Sequence, residues 1–245
     1  MPIVLLLAAA IGGALNAVAG GGSFLTLPAL IVAGVSPVAA NATSTLALWP
    51  ASVSSTFAYR GDIQVSRQRM IALGLASVAG GFAGALLLVR TSDSSFLRLL
   101  PWLMLIAAAT FSFGNTLRKA TAHTGHPGLA VVVVIQFFIA TYGGYFGGGM
   151  GIMMLATMAL AGMTNIHEMN GLKSFLGVAI NGVALAIFII GGAITWKYGV
   201  AMAVGATAGG YTTAFFARKI DARYVRWFVI AVGWSMTLYF FVRRS

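Results

Sequence analysis

Two glycine triplets, Gly20-Gly21-Gly22 and Gly147-Gly148-Gly149, each introduce a short apolar segment followed by a longer one that bears an asparagine. A Gly-broken hydrophobic segment that recurs at corresponding places in two halves of a chain is the sequence mark of a transporter core. One triplet would say little, because glycine is ordinary packing material in membrane helices. Two in the same setting, with further matches downstream at a nearly constant offset, point to an internal duplication. The triplets align at an offset of 127, whereas Asn41 with Asn170, and Ala79-Gly80-Gly81 with Ala208-Gly209-Gly210, align at 129. A two-residue insertion in one connection accounts for the difference.

The solvent of such a chain must be lipid. With 59% hydrophobic and 8% charged residues in 245, there is too little polar surface to coat a soluble globule. The first charged side chain is Arg60, and none occurs between Lys119 and Glu168. Several hydrocarbon crossings therefore fit without any charge. The net charge of +11 does not point to nucleic acid, since the basic residues lie mostly in short connections and form no clustered face. The absence of cysteine excludes disulfides, a thiol nucleophile and thiolate metal sites. Met1 to Ala19 has a cleavage-like Ala17-Val18-Ala19, but it lacks a basic n-region and has a counterpart in the second half, which argues against a signal peptide.

Hydropathy and punctuation predict ten helical segments, at about 2–19, 24–34, 39–59, 66–89 and 95–116, then about 128–146, 150–162, 168–192, 196–217 and 222–242. The expected fold is an all-α integral membrane protein made of two repeats of five segments. The first repeat is residues 1–116, the connecting loop 117–127 and the second repeat 128–245, together one transport domain. The second segment of each repeat is short: Phe24 to Gly34 as a helix covers about 16 Å of a hydrocarbon core of about 30 Å. It is expected to stop near the membrane midplane, where irregular backbone needs protein or a water-filled cavity to satisfy it. If the first two segments of each repeat together cross an even number of times, the repeats are inverted. Arg60, Arg67, Arg69, Arg118, Lys119, Arg218, Lys219, Arg223 and Arg226 then share the cytoplasmic side, opposite Arg90, Arg98, Lys197, Arg243 and Arg244. Parallel repeats split the charges less clearly.

Lys173 is the one basic residue set within an apolar segment, about two turns beyond Asn165, which reads as its N-cap. A lysine at that depth costs roughly 2.5–3.5 kcal/mol on insertion scales and is read as functional, with an anion as its natural partner. Snorkelling to the near interface is the structural alternative. On a helix Asn170, Lys173, Gly177 and Asn181 fall in one stripe, and Asn41, Ser44, Ser52 and Ser55 draw the equivalent line in the first repeat. Such polar residues can also simply join helices. Helices starting at the triplets, Gly20, Gly21 and Gly22 with Ser23, and Gly147, Gly148 and Gly149, would aim free N–H groups at an anion in the cavity, or else make close backbone contacts. Glu168 is either a proton carrier or gate, or the carboxylate of a capping box with Asn165, and its spacing favours the box. His123 and His126 lack further ligands, which argues against a metal, and no constellation of catalytic residues converges by spacing.

Ala19-Gly20-Gly21-Gly22-Ser23-Phe24, Val38-Ala39-Ala40-Asn41-Ala42-Thr43 and Tyr59-Arg60 resemble the first half of the sulfite exporter TauE/SafE family. Phe146-Gly147-Gly148-Gly149-Met150-Gly151 and Met169-Asn170-Gly171-Leu172-Lys173-Ser174 are similar to that family's second-half pattern, with Gly171 where alanine is expected. The resemblance covers nearly the whole chain. It implies a multi-pass carrier of the bacterial inner membrane that moves sulfite, organosulfonates such as sulfoacetate, or related anions. No cofactor is implied, the partners are the small anion and the lipid bilayer, and a homodimer stays open. The expected mechanism is alternating access, with the anion held near the midplane by the triplet helix ends, Asn41, Ser44, Asn170, Lys173 and Asn181. A proton-coupled carrier of another solute, in which Glu168 would matter more, is the alternative within transport. A membrane scaffold and an intramembrane enzyme are the alternatives from other classes.

Overall fold

In a computed structural model the chain is described over residues 2–18, 21–121, 127–216 and 222–243. Every extended element among them is helical. The first five helices are α1 (Pro2–Val18), α2 (Ser23–Val32), α3 (Pro37–Tyr59), α4 (Arg67–Arg90) and α5 (Asp93–Thr121). They are followed by α6 (Leu129–Tyr145), α7 (Met150–Leu160), α8 (Ile166–Ile190), α9 (Trp196–Phe216) and α10 (Ala222–Arg243). A single 3₁₀ turn, Arg60–Asp62, follows α3. By length and composition α4, the Asp93–Gly114 part of α5, and α8 can each cross a bilayer alone.

Local chemistry accounts for the boundaries. Pro37 opens α3 at a position where a missing N–H costs nothing. The Ser66 hydroxyl caps α4 by accepting from the Arg69 amide at 3.3 Å. The Asn165 side chain caps α8, accepting from the amides of His167 at 3.0 Å and Glu168 at 3.4 Å. The two short helices, 10 and 11 residues long, stop in the same way. Gly34 (φ +86°) and Gly162 (φ +85°) turn into the left-handed region. The amides of Val35 and Met163 then bond back to the carbonyls of Leu30 and Met158, each at 3.0 Å. At the other end of the first repeat, α5 runs to Thr121, so helix extends into the stretch expected to be connection.

The helices pair in a pattern that maps onto itself when each is replaced by the one five further along. Helix α1 packs on α9 as α6 packs on α4, α3 on α9 as α8 on α4, and α3 meets α8 as α5 meets α10. The tightest contacts repeat residue for residue. Gly80 lies against the Phe137 carbonyl, and its counterpart Gly209 lies against that of Ala10, the counterpart of Phe137. Such glycines let backbones approach where hydrocarbon solvent gives no hydrophobic drive to helix association.

Helices α3 and α8 cross antiparallel at the centre. Near the start of α3, the Thr43 hydroxyl accepts from the Thr195 amide beyond the end of α8 at 3.0 Å. At the opposite end, Gly171 in the second turn of α8 lies against Ile63 and Tyr59 at the end of α3. Between these, the Trp49 indole N–H donates to the Val178 carbonyl at 3.2 Å. Trp49 and Val178 are 129 residues apart, the repeat offset itself, so each meets its own counterpart.

Candidate functional site

The crossing of α3 and α8 leaves a cavity of about 80 Å³, room for several waters or a small ion. Ser44, Thr45, Leu48 and Ser52 of α3 line it, and so do Lys173, Ser174, Gly177 and Asn181 of α8. Each α8 residue stands 129 positions after one of the α3 residues, in order. Ser23 at the start of α2 and its counterpart Met150 at the start of α7 add to the wall, with Gly151 and Met154 of α7, Asn16 of α1, and Phe146 and Gly147 of the α6–α7 link. The α3 and α8 walls are thus built from matched positions, and the differences at those positions give the cavity its chemistry. Ser44 corresponds to Lys173, Ser52 to Asn181, and Ser23 to Met150.

Lys173 supplies the one positive charge among the described wall residues. Its ammonium donates to the Asn170 Oδ1, one turn earlier, at 3.0 Å. Its stem runs beside Gly151, where a Cβ would come within 3.3 Å of the Lys173 Cδ. A larger residue there would push on the lysine. The bond to Asn170 uses one of three ammonium protons, leaving two for an occupant of the cavity.

The polar groups of the first repeat are largely committed to one another. The hydroxyls of Thr26 and Ser44 are 2.6 Å apart, and Thr26 also lies 3.2 Å from the Gly22 carbonyl. Because a hydroxyl has one proton, Thr26 donating to that carbonyl requires Ser44 to donate to Thr26. The Asn16 amide donates to the Ser52 hydroxyl at 3.0 Å, and the Thr45 hydroxyl to the Asn41 carbonyl at 3.1 Å. By contrast, the side chains of Ser23, Ser174 and Asn181 make no hydrogen bond among the described residues, and all three border the cavity.

Backbone adds donors at the head of α7. Gly147 (φ +84°) and Gly149 (φ +79°) hold the link in a left-handed conformation that side-chain-bearing residues avoid. The amides of Gly148, Gly149 and Gly151 make no hydrogen bond among the described residues, and Gly151 borders the cavity. The link is fixed from behind by the Tyr142 hydroxyl, 2.7 Å from the Gly148 carbonyl.

Of the residues singled out from sequence, the structure brings Ser23, Ser44, Ser52, Gly147, Lys173, Gly177 and Asn181 to the cavity wall, and Asn170 reaches it through the lysine. Others are engaged elsewhere. Asn41 donates to the Tyr145 carbonyl at 2.9 Å, tying α3 to the end of α6. Gly21 packs on Phe111 and Val229, Gly22 on Gly12, Gly148 on the Phe146 ring and Gly149 on Ala107. Glu168, half-buried in the first turn of α8, is not among the lining residues. Gly20, the Ser55 side chain, His123 and His126 lie outside the described residues. Among those described, no group of three His, Cys, Asp or Glu is assembled. Asn16, Thr45 and Ser174 escaped the sequence reading. Asn16 carried a usable signal, as the one amide side chain in the otherwise apolar first segment.

Comparison with known proteins extends these observations. Residues 5–240 match the family described as sulfite exporter TauE/SafE. The chain is 27% identical over 235 residues to "Probable membrane transporter protein ORF9" of a Sinorhizobium species, covering 96% of this chain and 90% of that protein. It is 27% identical over 224 residues to a "Probable membrane transporter protein" of Haemophilus influenzae, covering 91% and 88%. It is 31% identical over 210 residues to "Probable membrane transporter protein YfcA" of Escherichia coli K12, covering 84% and 77%. No solved structure matches the chain.

Proposed function

The chain belongs to the sulfite exporter TauE/SafE family and is a membrane transporter, not an enzyme, and from that premise we propose that it carries a small oxoanion, sulfite or an organosulfonate, by alternating access. Its relatives are bacterial, and an all-helical span suits the inner membrane, since only helices and closed barrels satisfy their backbone in lipid. The observation that carries the reading is the composition of the cavity. Four successive wall positions of α3 and their four counterparts in α8 border a space whose one cation among the described wall residues is Lys173. A site shared between related halves is what rocking of one half against the other needs, because either half can release it.

The chemistry favours an anion over a neutral solute. A lysine within a spanning helix is costly unless its charge is met, and Asn170 offers only a neutral oxygen. An anion would complete the pairing, accept from the Ser174 hydroxyl and the Gly151 amide, and sit near the positive end of α7. Sulfur oxoanions present several acceptor oxygens, matching a wall in which donors come from different elements.

The test is exchange of labelled sulfite into proteoliposomes loaded with unlabelled sulfite, comparing wild type with Lys173→Ala. Exchange by wild type with a fall of at least about tenfold in the variant, at unchanged elution from a sizing column, is the expected result. Undiminished exchange by Lys173→Ala would remove the lysine from the site.

A further inference from the structure

The cavity has a charged end and a neutral end. Lys173 and Asn181 both line it from α8, from positions eight residues apart on one helical stripe. Because α3 and α8 run antiparallel, Ser52 stands level with the Lys173 end, and Ser44 and Thr45 stand level with Asn181. At the Asn181 end, Ser44 is held by Thr26 and Thr45 by the Asn41 carbonyl, so of the α3 and α8 side chains there the Asn181 amide is the uncommitted donor and acceptor. Among the described lining residues there is no carboxylate and no second cation.

Resting on the oxoanion reading above, we propose that the transported species is a singly charged oxoanion carrying a neutral hydrogen-bonding tail, with its anionic group at Lys173 and its tail read by Asn181. The charge count excludes the other tails. A tail ammonium would lie in a low-dielectric site without a counter-carboxylate, and a tail carboxylate would lie there without a second cation. An apolar tail would displace water from the Asn181 amide without replacing its hydrogen bonds, a cost that a hydroxyl removes. Discrimination of this kind, in which the site's own polar group is stranded by the wrong ligand, is stronger than discrimination by size.

The experiment is uptake of labelled sulfite by counterflow into proteoliposomes, competed by ethanesulfonate, 2-hydroxyethanesulfonate, 2-aminoethanesulfonate and sulfoacetate. The expected order in wild type places 2-hydroxyethanesulfonate first, about tenfold ahead of ethanesulfonate, with the zwitterion and the dianion weakest. In Asn181→Leu the ratio of the hydroxy compound to ethanesulfonate should fall toward one. In Asn181→Asp 2-aminoethanesulfonate should gain at least about tenfold relative to ethanesulfonate, as its ammonium meets a carboxylate. This gain is a readout that a misfolded protein cannot produce. If wild type ranks sulfoacetate or 2-aminoethanesulfonate first, or if the ratio survives Asn181→Leu, the tail assignment is overturned. Sulfite exchange that none of the four compounds inhibits overturns it too, leaving the oxoanion reading standing. If neither sulfite nor any of the four is carried, both fall together.

Discussion

At the scale of single residues, the asparagines of the two repeats have parted roles. Asn170 holds the Lys173 ammonium at 3.0 Å, whereas Asn41, its counterpart, ties α3 to the Tyr145 carbonyl at 2.9 Å and is buried. Substitution should separate the two. Asn41→Ala leaves a carbonyl without its partner near the end of α6 and is expected to cost about 1–2 kcal/mol of stability, read as a lower melting temperature in detergent. Asn170→Ala should alter anion affinity more than melting, because it releases a cavity-facing lysine. Equal loss of melting temperature in both variants would contradict this division. The difference was not legible in the sequence, where both asparagines occupy matching places in matching stripes. What separates them is a main-chain acceptor 104 residues away, which no spacing rule reveals. The lysine was legible because a charge in an apolar run is conspicuous in any environment. Ser44, Ser52 and Asn181 were legible through helical period, and Ser174 was missed because it follows the lysine directly and so falls off the stripe.

At the scale of elements, the helix limits followed closely from hydropathy and punctuation, since length and glycine placement are local properties. The roles of the triplets did not. A run of three glycines announces backbone exposure or close approach without saying which. Here Gly147 borders the cavity while Gly21, Gly22 and Gly149 fit against neighbouring elements and Gly148 against the Phe146 ring of its own link. The same ambiguity was resolved for α4 by its contact with α6. A Cβ on Gly84 would overlap the Thr141 carbonyl, and one on Gly80 the Phe137 carbonyl, both backbone atoms that can move only if the helices separate. Gly84→Ala is therefore expected to destabilise by at least about 2 kcal/mol, through forced separation of α4 from α6. Gly74 lies on the same helix with nothing near its Cβ direction, and Gly74→Ala should be neutral or stabilising by up to about 1 kcal/mol. Thermal aggregation of the solubilised variants, followed by size-exclusion chromatography, compares the two. Similar behaviour would mean that α4 and α6 are not held by this contact.

At the scale of the whole molecule, the antiparallel meeting of α3 and α8 constrains the topology. Equivalent helices that cross antiparallel on either side of a shared cavity place equivalent connections on opposite faces of the membrane. Ser36, before α3, and Thr164, before α8, are both exposed. They should therefore face opposite sides, with Ser36 outward and Thr164 toward the basic connections that favour the cytoplasm. The chain has no cysteine, so single-cysteine variants can be labelled without background. In intact cells a membrane-impermeant thiol reagent should modify Ser36→Cys and Ser94→Cys, the latter in the α4–α5 region near Arg90 and Arg98. Thr164→Cys and Gln64→Cys should react only after the membrane is opened. Labelling of Ser36→Cys and Thr164→Cys from the same side would make the halves parallel, and a cavity built from matched positions of α3 and α8 would then no longer open to the two faces by exchange of equivalent conformations. Opposite labelling would mean that Lys173 marks one end of a pathway whose α3 and α8 walls are built from matched positions. The charge contribution to anion affinity would then differ between the two faces through that lysine, with Ser44→Lys as the variant that should bring the two values closer.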